Sequence, residues 1–394
     1  MPRNFAQKIA AFEVIPKRLF EVLGSYLFFL TLTHRRHSLK SAALIAEIDE
    51  SRFSSALNQP GVLEISQKLF NRARRRALKG FLSRAKGKIS IIIDSTFQQR
   101  RSQALENVHR YHTGTGFVTA HKFTNFILVS ASGEILPLDT VAVLTKAYCK
   151  KYSKSYISEY ELAALWIDGL ASHELLSKDR LKNSVFLLDA GFDTRRIQNA
   201  ILALGSNFVV AIKSNRSISG RSVREYFNKH RNLAWSIIRL SAGSGKKKHL
   251  RKYSVRTAKK VNLKGVGEVC AVWSKAHGHA RKPKYLAASD LSLSTREIIQ
   301  WYAKRWVIEL WHRQMKQKHG YADCHCRRFT AVDAHIQLCI TAYLLAKESK
   351  RPPQTLESYL RERDLRMIQE ETTRYGALKR VKSLISEALA KHAA

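Results

Sequence analysis

Tyr302, Arg305, Glu309 and Lys316, in the run WYAKRWVIELWHRQMKQ, place a phenol, a guanidinium, a carboxylate and an ammonium at helical spacing. At 100° per residue they fall at about 0°, 300°, 340° and 320°, a stripe about 60° wide. Arg313 falls at about 20° on the same stripe. The large apolar residues Trp301, Val307, Ile308, Leu310, Trp311 and Met315 fall on the opposite side, from about 80° to 260°. One face of this helix is therefore expected to enter a core while the other presents one acid among several cations. A lone carboxylate among phosphate-binding groups suggests a metal ligand beside a nucleic-acid backbone. A surface helix with intrahelical ion pairs is the alternative reading.

Two further acids close apolar runs. Asp94 ends Ser90-IIID and Asp189 ends Ser184-VFLLD, both read as buried strands. Phe123-TNFILVSA and Ile135-LPL supply two more strands, turned at Gly133, and Asn207-FVVAI a fifth. Residues 157–177 read as a long helix, and another helix follows Gly191 and Thr194. The order β-β-β-α-β-α-β predicts an α/β fold with a ribonuclease-H-like (retroviral-integrase-like) catalytic core. In that layout the ends of the first and fourth strands lie side by side, which would bring Asp94 and Asp189 together. Carboxylates that converge repel one another unless cations neutralise them. Mg²⁺ or Mn²⁺ takes such oxygen ligands, and a pair of ions suits in-line phosphodiester cleavage or transfer. Turn chemistry is the rival role for Asp189 in DAGFD, and Asp193 is its competitor as ligand.

The remaining chain divides around that core. Residues 1–88 read as a helical N-terminal DNA-binding region. It includes two short helices at Ser38-LKSAALIAEID and Glu50-SRFSSALNQ, either a DNA-reading helix-turn-helix or a plain hairpin. The core's first part spans 89–213, a β-rich basic insertion 214–290, and the core's final part, with the helix described above, 291–348. The insertion carries 13 Lys or Arg against one acid, Glu268, between Gly245 and Tyr285. A helical C-terminal tail is expected over 349–394.

Composition sets the partner. With 69 Lys and Arg against 31 Asp and Glu, the formal charge is +38. A surface that basic repels itself unless a polyanion is near, and its spread along the whole chain favours nucleic acid over a membrane. The five cysteines make no disulfide framework at this length, and Cys324-His325-Cys326 is too tight for two ligands of one zinc. The N-terminus lacks the apolar core of a signal peptide, and the longest apolar run noted, Val22 to Leu32, is short for a membrane span. A cytoplasmic, nucleoid-associated protein is expected.

The Tyr302-Arg305-Glu309-Lys316 spacing, with IIIDST before it and LLDAGFD between, resembles the DDE transposases of bacterial insertion sequences that carry the YREK signature (the insertion-sequence-four-like group). The resemblance covers roughly residues 85–345. It implies that Asp94, Asp189 and Glu309 form the metal-binding catalytic triad. It also implies that Tyr302, Arg305 and Lys316 contact transposon-end phosphates. Such enzymes bind terminal inverted repeats as dimers, cut double-stranded DNA at the element ends and join the 3′ hydroxyls to target DNA. In many, a tryptophan of the β insertion stabilises a flipped base, and Trp273 is the nearest candidate. Ala190 departs from the pattern, since the family often has Arg there. A structure-specific nuclease with the same triad, and a non-catalytic DNA-binding protein, are the alternatives.

Overall fold

A computed structural model describes residues 3–32, 37–170, 172, 175–242, 249–277, 283–324, 326–348 and 362. The expected C-terminal tail lies outside the described residues, Glu362 excepted.

Five helices open the chain: α1 (Arg3–Ala10), α2 (Lys17–Thr31), α3 (Leu39–Ala46), α4 (Glu50–Leu57) and α5 (Val62–Arg84). Side chains fix their starts, with Ser38 accepting from the Ser41 amide and Asp49 from the Ser51 amide. The apolar run noted in the sequence forms the buried α2. The basic character of α5 is partly structural. Arg74 is buried, donating to the Leu138 carbonyl at 2.6 Å and to Asn71 at 2.8 Å, while Arg84 pairs with Glu134 at 2.8 Å.

The strands follow: β1 (Ile89–Gln99), β2 (His109–His112), β3 (Phe117–Val129) and β4 (Ile135–Val143). Then come α6 (Lys146–Lys151), α7 (Glu159–Gly169), α8 (Lys178–Lys182), β5 (Ser184–Leu188), α9 (Arg195–Ala203) and β6 (Asn207–Ile212). The helix expected over 157–177 is thus shorter, and Leu175 and Leu176 already lie outside it. β3 pairs antiparallel with β1 on one edge and with β4 and β2 on the other; β5 runs parallel to β1, and β6 parallel to β5.

Short β7 (Ser217–Ile218), β8 (Arg221–Ser222) and α10 (Val223–Lys229) lead into β9 (Ser236–Ala242), β10 (His249–Leu263), β11 (Gly267–Ala276) and β12 (Lys284–Ala288). The basic segment expected as an insertion folds as β structure and continues the same sheet, because β12 pairs antiparallel with β6. The chain then forms α11 (Thr295–Lys304), α12 (Trp306–Lys318) and α13 (Phe329–Glu348). By length and composition α13 would suffice to cross a membrane, but it is the central core helix, buried along nearly its whole length. α2 and α5 pack on it, and Tyr26 of α2 bonds His335 at 2.9 Å.

Strand alternation divides the sheet into two faces. Phe126, opposite Ile93, stacks on Trp166 of α7 with ring centroids 3.9 Å apart. Asn125, opposite Asp94, meets His312 of α12 at 3.1 Å. So α7 covers one face and α12 the other.

Candidate active site

The pairing of β1 with β5 aligns Ile93 with Leu188, and an aspartate follows each, Asp94 within β1 and Asp189 just past the end of β5. The expectation that Asp94 ends its strand is corrected. β1 runs on to Gln99, still paired with β3, and only its pairing with β5 stops at Ile93. The polar residues beyond the acid stay in the strand because they find partners. Buried Gln98 donates to the Tyr321 carbonyl at 3.2 Å, and Ser95 shares a hydrogen bond with Thr124 at 3.0 Å.

Asp189 begins a tight turn. Its Oδ1 accepts from the Gly191 amide at 2.7 Å, the turn role weighed against a ligand role in the sequence. A Cβ at position 191 would come within 2.8 Å of that same oxygen. Asp193 is not available as its competitor. It is buried, accepting from Gln198 at 3.0 Å and from the Lys213 amide at 3.0 Å, with Arg216 at 3.6 Å.

The YREK stripe is not one unbroken helix. α11, opened by a Ser294–Glu297 capping box, ends at Lys304 and α12 begins at Trp306. At the joint the Arg305 amide bonds to Tyr302 and the Ile308 amide to Arg305, the tighter three-residue pattern. Backbone angles at Arg305 remain right-handed helical, so the stripe persists across the joint. Its apolar side is only partly covered: Ile308, Trp311 and Met315 are buried, whereas Leu310 is 46% exposed.

Arg305 is the hub. Its Nη2 pairs with Glu309 four residues on, and its Nη1 lies 3.5 Å from Asp94 Oδ2. The intrahelical pair foreseen by the surface-helix reading therefore exists, but the same guanidinium also spans to the sheet. The three side chains are mostly shielded from solvent, at 12%, 31% and 18% exposure for Arg305, Glu309 and Asp94. Burial pushes the Asp94 carboxyl up to about 7, with Asp189 and Glu309 adding to the rise, while Arg305 and the Ser95 amide oppose it. Asp94 thus senses the charge of both other acids. Among the described residues no three His, Cys, Asp or Glu side chains already cluster as a ready metal site.

Tyr302 flanks this cluster, with Arg305 5.9 Å and Lys284 of β12 5.4 Å from its ring centre; burial raises its hydroxyl's pKa. Lys316 is half-buried without an ion pair among the described residues, and burial lowers its ammonium. Arg313 is exposed at the rim. Trp273 stands apart from these, half-buried on β11. Its ring meets Trp235 edge-on at 4.9 Å, and the Arg256 guanidinium sits 5.1 Å from Trp273 and 4.7 Å from Trp235. Trp235, 57% exposed, is the partner that presents its indole outward.

Sequence reasoning passed over two sets of residues. His312 lies at about 280° on the helical wheel, 20° or so from Arg305, and was readable as a member of the stripe. It is buried; desolvation first, then Lys316 and Arg305, hold its pKa down to about 3. Its Nε2 meets Asn125 Nδ2, whose Oδ1 accepts from Thr140 at 2.6 Å. On the other face Glu159, at the start of α7, bonds both Ser95 and Lys122 directly behind Asp94. A lone amide in the apolar strand FTNFILV was a further signal of the first set, and the second had none.

The family model described as the transposase DDE domain matches residues 85–345. The chain belongs to that family. A search of curated proteins finds no match. As a transposase, the chain is an enzyme that acts on DNA, and the family generally uses divalent metal ions. The match begins just after α5 and ends within α13, so it takes in both aspartates, the basic β segment and the YREK stripe.

Proposed function

We propose that this transposase is of the YREK group, that its core is ribonuclease-H-like, and that it cuts DNA at element ends and transfers the 3′ hydroxyls into target DNA. The register that sets Asp94 beside Asp189, with Arg305 linking Asp94 to Glu309, carries this reading. Two parallel strands beside an antiparallel meander support the fold assignment.

The donor set fits a divalent ion such as Mg²⁺ or Mn²⁺. Asp94, Asp189 and Glu309 offer hard oxygen ligands, and burial and like charge already hold the Asp94 carboxyl at about 7. Asp94, Asp189 and Glu309 would hold the metal, one ion or a pair, which when bound activates a nucleophilic oxygen and stabilises a leaving 3′ oxygen. The chain's own residues do the rest. Arg305 offers a planar fork to a phosphate and Lys316 a point charge. An unpaired, half-buried ammonium is costly, and a DNA phosphate is the partner that would relieve it. Tyr302 closes the side of the stripe, and Arg313 extends it at the rim. Neutral His312, bonded to Asn125, fixes α12 against β3 and so sets the distance from Arg305 to Asp94. Within the tryptophan pair, Trp235 is the better placed to meet an extrahelical base, with Trp273 and Arg256 behind it. We assign the working form as a homodimer on double-stranded DNA bearing terminal inverted repeats, in the bacterial cytoplasm and nucleoid.

Purified protein with Mg²⁺ and a plasmid carrying the DNA that flanks its gene tests this. Cut ends and joined target products are expected from the wild type, and end binding without product from Asp94→Asn, Asp189→Asn and Glu309→Gln. Cut ends without joining would make it a nuclease; binding without any metal-dependent product would make it a DNA-binding protein only.

A further inference from the structure

The segment TKAYCKKYSKSYISEY, residues 145–160, carries Lys146, Lys150, Lys151 and Lys154 and a tyrosine at every fourth position, 148, 152, 156 and 160, with no acid before Glu159. Tyr148 is its buried anchor, edge-on to Phe329 at 5.3 Å. The loop after α6 is pinned rather than loose: the Lys154 amide bonds the Cys149 carbonyl at 2.9 Å, and Ser153 turns the chain with φ of 50°. The result is an exposed ridge in which Tyr152, Tyr156, Ile157 and Tyr160 stay 40–48% exposed. Lysines lie against the rings, Lys151 5.0 Å from Tyr152 and Lys146 5.4 Å from Tyr156, while Glu106 accepts from the Tyr152 hydroxyl and pairs with Lys151 at 3.4 Å, leaving Lys146, Lys150 and Lys154 as the ridge's cations for phosphate. Aromatic faces interleaved with ammonium groups are a surface for a nucleic-acid strand, with cations for phosphates and rings for sugars and unstacked bases.

Its position gives it a role. The ridge runs into α7, on the sheet face opposite α12, and ends against the acids from behind. Glu159 bonds Ser95, next to Asp94, and Tyr160 packs on Phe192, three residues past Asp189, at 6.2 Å. Arg305 of the α12 stripe reaches Asp94 from the other face. We infer that the Lys–Tyr ridge of residues 146–160 binds the target duplex, sequence-independently, while the α12 stripe holds the element end. This rests on the strand-transfer reading above.

Two measurements on the full chain test it. A target-type duplex lacking the inverted repeat, carrying 5-iodouracil and irradiated in Mg²⁺-free buffer, is expected to crosslink to peptides holding Tyr152 or Tyr156, and an end duplex to peptides elsewhere. This readout needs no catalysis, so it stands even if no joined product forms and the strand-transfer reading fails. Lys150→Ala/Lys154→Ala is expected to lower the salt slope of target binding by about 2 and to raise the target concentration needed for joining. The charge-matched control Lys178→Ala/Lys182→Ala should do neither. An absent ridge crosslink, equal crosslinking by the end duplex, an unchanged slope, or a Tyr156→Ala variant that alters self-association without DNA (a face for a second copy) would each overturn the assignment.

Discussion

The guanidinium of Arg305 lies 3.5 Å from the carboxylate of Asp94 while also holding Glu309, so one cation joins the sheet to the helix that faces it. Burial and the nearby Asp189 raise the Asp94 carboxyl, and Arg305 opposes them.

That arrangement bears on how Asp94 titrates in the metal-free protein. Asp94 should titrate near 7, raised by burial and by Asp189 and Glu309, and lowered by Arg305. Asp189→Asn removes a like charge and should move the midpoint down; Arg305→Met removes the counter-charge and should move it up. Carboxyl ¹³C shifts of Asp-labelled protein followed from pH 4 to 9 read both. Equal midpoints in all three proteins would show that the groups do not sense one another.

Gly191 offers a separation of fold from chemistry. A methyl group there would come within 2.8 Å of Asp189 Oδ1, yet the backbone at 191 is not one that excludes side chains. Gly191→Ala should therefore turn the carboxylate aside and leave the sheet intact. A loss of at least about tenfold in DNA cleavage is expected, the cost of roughly 1.4 kcal/mol in transition-state stabilisation, with the urea midpoint nearly unmoved. Full activity in the variant would mean that the observed carboxylate direction is not the working one.

Much of this site was legible because buried strands and amphipathic helices announce themselves by apolar period. The runs ending at Asp94 and Asp189 and the polar stripe of α12 carried the acids with them. What hid was non-local. Strand β1 continues through Ser95, Thr96 and Gln98 because partners far along the chain satisfy them, and nothing near those residues says so. The break at Arg305 is a matter of backbone bonding that leaves the wheel almost unchanged. That β12 would pair with β6, making the basic segment part of the same sheet, depends on long-range pairing that no local pattern specifies. Trp235 drew no attention because its value comes from exposure beside Trp273 and Arg256.

Asp333, buried on α13, gives a stability prediction away from the chemistry. Burial, opposed by Gln337, raises its carboxyl from 3.8 to about 7. The folded chain therefore binds this proton more tightly than the unfolded one. The associated stability is complete below pH 4 or so, declines as pH rises toward 7, and is gone above it. The difference corresponds to at most roughly 4 kcal/mol. Asp333→Asn keeps the shape of the protonated acid without the charge. It should raise the urea midpoint relative to the wild type at pH 8 and match it near pH 4. A destabilised variant at pH 8 would show that the carboxylate itself is needed there.

The tryptophan pair gives the last test. Trp273 is packed in the sheet, between its cross-strand neighbours Arg256 and Tyr285, whereas Trp235 shows more than half of its surface. Removing a packed aromatic costs about 3–5 kcal/mol when fully buried and less here, where burial is partial. Trp273→Ala should therefore lower thermal stability and weaken function only through the fold. Trp235→Ala should leave the melting transition within a degree or two. It should also reduce the fluorescence rise of a 2-aminopurine placed next to the cleavage site in end DNA, the signature of a base leaving the stack. If both variants melt like the wild type and only Trp273→Ala lowers that fluorescence, the base meets Trp273 and the exposed indole of Trp235 has another use.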